Sequence, residues 1–166
     1  MDDNHPPSII GHVASLHLHP PAAAGTPLEN VEAFEVIAEK GIVGNGRYFS
    51  RISRSTGKPS RRQISLIERE QIATHASDLG RKSIPPGIVR ANIETLGIKL
   101  VELVGHQVQI GEAILYFYEQ RTPCSKMDAI CAGLRKMMEA GRQGVLAEVV
   151  QSGCIRVGDS IQPLNR

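Results

Sequence analysis

The segment Arg121-Thr122-Pro123-Cys124-Ser125-Lys126-Met127-Asp128 gathers the residue types best suited to chemistry. A β-rich run ends near Glu119, and Pro123 stops a later helix from reaching back. Ser125 and Asp128 have the spacing of a capping pair, so a helix is expected to begin just after Cys124. Unpaired N–H groups and the helix dipole favour a thiolate at that place, and Arg121 and Lys126 act in the same direction. A thiolate attacks electrophiles or binds a soft metal. A cysteine also serves as a small buried apolar side chain, and the local residues leave both roles open.

The other candidates are weaker. Cys131 lies seven residues on, about 10.5 Å away along one helix and beyond disulfide reach. It reads as core, and Cys154, at a strand start, reads as structural. His12, His17 and His19 lack a nearby Cys, Asp or Glu at ligand spacing and read as surface histidines. Residues 47–62 carry Arg47, Arg51, Arg54, Lys58, Arg61 and Arg62 with no acidic residue. Such a stretch binds phosphate, binds nucleic acid or is a solvated loop. With no Trp and only Tyr48 and Phe49 nearby, the phosphate of a small cofactor is favoured over single-stranded nucleic acid.

The elements that must position these residues are short. Sixteen glycines and ten prolines spread along 166 residues favour short strands over long helices. Strands are expected at Ile9–Leu18, with its even-numbered positions buried, at Val31–Ala38, at Gln63–Ile67 and at Val145–Gln151. Helices are expected at Glu68–Leu79 and, interrupted by Gly133, over Ser125–Ala140. Gly111-Glu112 and Gly158-Asp159 occupy similar contexts and suit tight hairpins. This pattern predicts a mainly β chain, a mostly antiparallel β-barrel with a few short helices. The strands after Val145 and through Ile161 are both expected beside the one from Ile9.

Composition narrows the function. Apolar residues make up 41% and charged residues 22%, ordinary for a globular chain. The longest unbroken apolar run, Ala113 to Tyr118, is far short of the roughly 20 residues that span a membrane. The net charge of +2 gives no argument for nucleic acid. The acidic, proline-broken opening and the three cysteines lead us to expect a cytoplasmic protein.

Several pieces together resemble the MOSC domain, named for the C-terminal domain of molybdenum-cofactor sulfurases. They are Gly41-Ile-Val-Gly44, Arg61-Arg-Gln-Ile-Ser-Leu-Ile-Glu68, Gly87-Ile-Val-Arg90-Ala-Asn92-Ile93, Leu103-Val-Gly105, Ile110-Gly111, Pro123-Cys124, Arg142-Gln-Gly144 and Gly153 to Asp159. The resemblance runs from about residue 9 to 163. It implies one MOSC-like domain over 1–166, with residues 1–8 as a tail. It also implies a β-barrel that binds the pterin-based, molybdopterin-type molybdenum cofactor. Cys124 takes the place of the family cysteine that ligates molybdenum or carries sulfur. Arg90 and Asn92 take the Arg-x-Asn position near the cofactor, and Arg61, Arg62 and Arg121 are further candidates to bind it.

Small stand-alone members are associated with reduction of N-hydroxylated compounds. The resemblance thus implies an oxidoreductase acting on a small-molecule substrate with a separate electron-donor protein. The alternatives are a non-catalytic carrier of sulfur or cofactor and a nucleic-acid-binding barrel. One departure stands out: many members have Gly-Asp where this chain has Gly44-Asn45. A carboxylate is lost from that turn, while the turn itself is expected to survive.

Overall fold

The computed structural model describes residues 10–21 and 26–164. The expected tail at 1–8 and Ile9 lie outside the described residues. In chain order the strands are β1 (Gly11–Leu18), β2 (Glu29–Val31), β3 (Ala33–Ile37), β4 (Gly41–Ile42), β5 (Ile64–Glu68), β6 (Ile93–Leu96), β7 (Gln107–Ile110), β8 (Ala113–Gln120), β9 (Val145–Gln151), β10 (Gly153–Arg156) and β11 (Ser160–Pro163). The helices are α1 (Arg69–Asp78), α2 (Lys126–Ile130) and α3 (Leu134–Met137).

Among the described residues, seven strands close into a barrel in the order β1, β11, β7, β8, β9, β5, β6 and back to β1. Every pairing around it is antiparallel except β5 with β6, which is parallel. A parallel pair needs a long crossover, and α1 with the segment after it supplies one. The fold is thus mainly β, mostly antiparallel, with three short helices, as the residue pattern predicts.

The barrel core is filled by alternating inward residues, among them Leu16, Leu66, Ile93, Leu115, Phe117 and Ala147. A second core, with Ile67, Ile72, Val89, Met127, Leu134 and Met138, packs α1 to α3 against the outside of the wall. β5 therefore buries both faces, Ile64 and Leu66 inside and Ile67 outside. This explains why all five of its residues, Ser65 and Glu68 included, are buried.

Some expected elements take a different form. In β1 the buried set begins on odd positions, with Val13 buried and His12 exposed, then passes to Leu16. A register shift between Val13 and Ser15 opposite β6 changes the phase. The expected strand at 31–38 is divided: β2 pairs with β1, whereas β3 joins β4 and β10 in a separate sheet.

Gly111, at φ +56, makes the expected hairpin between β7 and β8. Gly158, at φ +90, makes none, because β10 and β11 belong to different sheets. Its N–H donates to the Val13 carbonyl, and Val13 N–H donates to Asp159, so the turn is sewn to β1. β11 lies beside β1 as expected, pairing Ile161 with Gly11. β9 does not: Gln63 and the all-buried β5 hold it between β8 and β5.

Candidate functional site

A cavity of about 580 Å³ opens where the end of β1, the start of β5, the end of β8 and the loop before β6 converge. Its walls carry five cations: Arg47, Arg62, Arg90, Arg121 and Lys126. Glu119 is the one acidic residue among the lining side chains. Among the described residues none of the five cations forms an ion pair with a carboxylate.

Arg121 is the most unusual of them. It follows β8 directly and is buried, 9% exposed. Its guanidinium donates to two backbone carbonyls, Gln143 and Val89, each at 3.3 Å. Burial, then the charge of Arg62, pushes its pKa down to about 10, so it remains a cation at neutral pH. A buried cation held by carbonyls alone is costly, and an anion in the cavity would relieve it.

Arg90 reaches the cavity from a backbone at φ +63, unusual for a residue with a Cβ. Its loop is pinned from below. The Arg90 N–H donates to Gly87, and the Gly87 N–H donates to the buried carboxylate of Glu94 at 2.6 Å. His17 Nδ1 lies 2.8 Å from the Ala91 carbonyl. His17 is therefore a fully buried brace and not the surface residue expected.

His19 and Tyr48 line the same cavity, with ring centroids 4.8 Å apart. The Tyr48 hydroxyl accepts from Arg47 at 2.9 Å, and the Arg47 and Arg62 guanidinium carbons lie 5.0 and 5.4 Å from its ring centroid. Burial opposes Tyr48 ionisation, yet the Arg47 hydrogen bond and the charges of Arg62, Arg47 and Lys126 outweigh it and bring the phenol below its usual value. Burial, then Arg90, Arg121, Arg47 and Arg62, lowers His19 to about 4, so its imidazole is neutral near pH 7. His19, expected at the surface without a role, is a wall of the site.

Of the residues singled out by sequence, Cys124, Arg62, Arg90 and Arg121 line the cavity, whereas Arg61 and Asn92 do not. Arg61 makes two hydrogen bonds to the Glu148 carboxylate and lies 4.4 Å over the Tyr118 ring. The rest of the basic stretch folds as a small hairpin closed by an Ile52–Pro59 bridge, with Arg51, Arg54 and Lys58 exposed.

Asn92 is a buried hub. Its Oδ1 accepts from the Ser65 N–H and hydroxyl, and its Nδ2 donates to the His17 carbonyl and to Asn45 Oδ1. Asn45 Oδ1 also accepts from the His19 N–H at 2.9 Å. The two asparagines thus set where β1 ends and where His19 stands.

Cys124 is exposed and precedes α2, which has five residues and no side-chain cap from Ser125. Asp128 accepts instead from the Arg135 N–H, so the expected capping pair is not formed. The broken helix predicted over 125–140 is two short ones, α2 and α3, on either side of Gly133. Cys131 belongs to the second core, as expected.

Sequence gave no separate sign of Gln143. It lines the cavity, is 2% exposed, and its Oε1 has no hydrogen-bond partner among the described residues. Gly144 beside it is obligatory, since a Cβ there would collide with the Leu66 carbonyl.

Residues 34–162 match the MOSC domain. The chain belongs to the MOSC domain family. That family is associated with molybdenum-cofactor binding. No curated protein sequence matches this MOSC chain.

Its fold is shared with three crystal structures of low sequence identity. YuaD from Bacillus subtilis is 18% identical with a TM-score of 0.75, covering 92% of this chain and 94% of that one. YiiM from Geobacillus stearothermophilus is 19% identical with a TM-score of 0.68, covering 94% and 76%. YiiM from Escherichia coli is 18% identical with a TM-score of 0.66, covering 93% and 70%. Among the described residues no helix is long and apolar enough to cross a membrane.

Proposed function

We propose that the cavity binds the molybdopterin-type cofactor and that the protein reduces N-hydroxylated bases or similar small molecules, with electrons from a separate donor protein. The reaction breaks an N–O bond: the substrate takes up two electrons and two protons, N–OH becomes N–H, and water leaves. The cofactor supplies the two-electron redox chemistry when bound.

The observation that carries this reading is the set of five cations around one cavity, none in an ion pair with a carboxylate among the described residues, with an exposed thiol at its edge. The donor set fits the group. Arg62, Arg90 and Arg121 offer guanidinium forks to a phosphate, and Arg47 and Lys126 add charge. The orphaned Gln143 Oε1 is a buried acceptor suited to a ring N–H. Cys124 offers the soft ligand molybdenum favours. Tyr48 lines the cavity with its phenol brought below the usual pKa, so it would serve as a proton donor, and Arg47 would stabilise the phenolate left behind.

On this reading the chain is one MOSC domain in the cytoplasm, where a free exposed thiol stays reduced. The exposure of Cys124 favours one second reading, a carrier that loads sulfur on that thiol and hands it to a partner. The test is molybdenum content and visible spectrum of protein made in a host that synthesises the cofactor, followed by turnover of an N-hydroxylated base with a reductant. Stoichiometric molybdenum with turnover supports the reductase. A metal-free protein bearing a persulfide at Cys124 would replace it with the carrier.

A further inference from the structure

A second pocket, about 410 Å³, lies beside the cation-rich cavity and differs from it in chemistry. Pro27, Leu28, Pro86, Ile88, Ala129 and Ile130 make most of its wall. Its charged members are Arg90 and Lys126, and both also line the first cavity. Arg90 and Lys126 are therefore walls common to both, one an apolar chamber and the other the cavity that Cys124 lines.

The chamber has the size of a small-molecule site. Its floor is also built in advance. Pro86, Gly87 and Ile88 lie on the loop that Glu94 pins through the Gly87 N–H and that His17 braces at Ala91. Because the loop is already ordered, a ligand would not pay to order it. Ile88 is 39% exposed, a large apolar side chain facing solvent on a pinned loop.

We infer that this pocket holds the apolar body of the substrate, an aryl or short alkyl group whose polar end is neutral or anionic and lies between Arg90 and Lys126. The assignment to the substrate rests on the reductase reading. The two shared cations repel a cationic head, so amidinium- or guanidinium-like compounds are selected against. The polar end is the part directed toward the first cavity, where the N–O function must arrive.

Benzoate and benzamidine test this, because they share a ring and differ in charge. Both are titrated into the purified protein with labelled isoleucine methyl groups. Benzoate is expected to shift the Ile88 and Ile130 methyls saturably, and benzamidine to shift neither. Ile88→Asp and Ala129→Glu place a carboxylate in the chamber at exposed positions. Each should weaken benzoate by about tenfold and raise the KM of benzhydroxamate, with the methyl spectrum otherwise that of a folded protein.

Benzoate shifts absent from both methyls, or benzoate affinity unchanged in both variants, would overturn the pocket. Turnover with KM unmoved by both variants would overturn it too, while supporting the reductase reading. Benzoate bound at both methyls in a molybdenum-loaded protein that reduces no N-hydroxylated compound would support the pocket and overturn the reductase reading.

Discussion

Asn92 Nδ2 donates to Asn45 Oδ1 across 3.0 Å, and both side chains are almost wholly buried. This bond ties the loop before β6 to the turn after β4, and through the His19 N–H it fixes one wall of the cavity. Asn92→Ala removes the hub and leaves the His17 carbonyl and Ser65 N–H without it. We expect a loss of about 2 kcal/mol in urea unfolding. The His19 ring resonances should shift in the same variant, which a loss of stability alone would not produce.

The same bond explains how Asn serves at position 45, where the family resemblance leads us to expect Asp. The work done at position 45 is acceptance by one oxygen from two donors, which either side chain provides. Asn45 Nδ2 has no partner among the described residues.

His19 reports on the charge of the cavity. Its folded pKa of about 4 lies below the unfolded 6.5, so the unfolded chain binds more protons between those values. Stability from this residue is full above about pH 6.5 and falls as pH drops toward 4. Burial lowers His19 most, and inorganic pyrophosphate in the cavity would offset the further lowering by Arg90, Arg121, Arg47 and Arg62. The His19 titration, followed by NMR, should move up on adding pyrophosphate and stay put with sodium chloride at equal ionic strength. A titration unmoved by pyrophosphate would remove anion binding from the cavity.

Arg61 and Arg62 are adjacent, yet only Arg62 lines the cavity. Arg61→Ala loses an exposed ion pair to Glu148 and should cost about 0.2–1 kcal/mol with pyrophosphate affinity intact. Arg62→Ala should do the reverse, with affinity falling about tenfold and stability near that of the parent. Calorimetric titration and urea unfolding of the pair of variants check both halves.

This pair also marks where sequence stops being informative. The barrel and most of its strands were legible because hydrophobic alternation and glycine turns are local signals, whereas the capping pair expected at Ser125 and Asp128 is not formed because Asp128 is taken by the Arg135 N–H. Which of two neighbouring arginines enters a cavity depends on where Glu148 and Tyr118 stand on other strands. His19 was misread for a similar reason, since its neighbours Tyr48, Arg90 and Arg121 come from three distant segments. The place of β9 depends on a long-range choice of partner: Gln63 Oε1 accepts from the Val149 N–H across 86 residues of chain.

Arg121→Met tests whether stability is given up for binding. The guanidinium is buried, its pKa is depressed, and its two hydrogen bonds are long, so the charge costs the folded state more than they return. The variant should unfold at the same urea concentration as the parent or higher. Its pyrophosphate affinity should fall at least about tenfold, since the most desolvated cation contributes most to anion attraction. A clear loss of stability with affinity intact would make Arg121 a structural clamp on Gln143 and Val89.

Cys124→Ser bears on the reductase reading most directly. The side chain is exposed at the cavity edge, outside both cores and before a helix that needs nothing from it. Serine keeps its size and removes the soft donor, so stability should stay within about 0.5 kcal/mol of the parent. A hard hydroxyl is a poor substitute for a thiolate on molybdenum. Protein from a cofactor-producing host should therefore lose the spectral signature of thiolate ligation and its turnover. The arginines remain, so pyrophosphate should still bind and still raise the His19 titration. That combination separates the metal ligand from the anion cradle. Retained ligation signature and turnover in Cys124→Ser would leave the thiol without a role at the metal, and loss of pyrophosphate binding as well would mean that the substitution had disturbed the cavity itself.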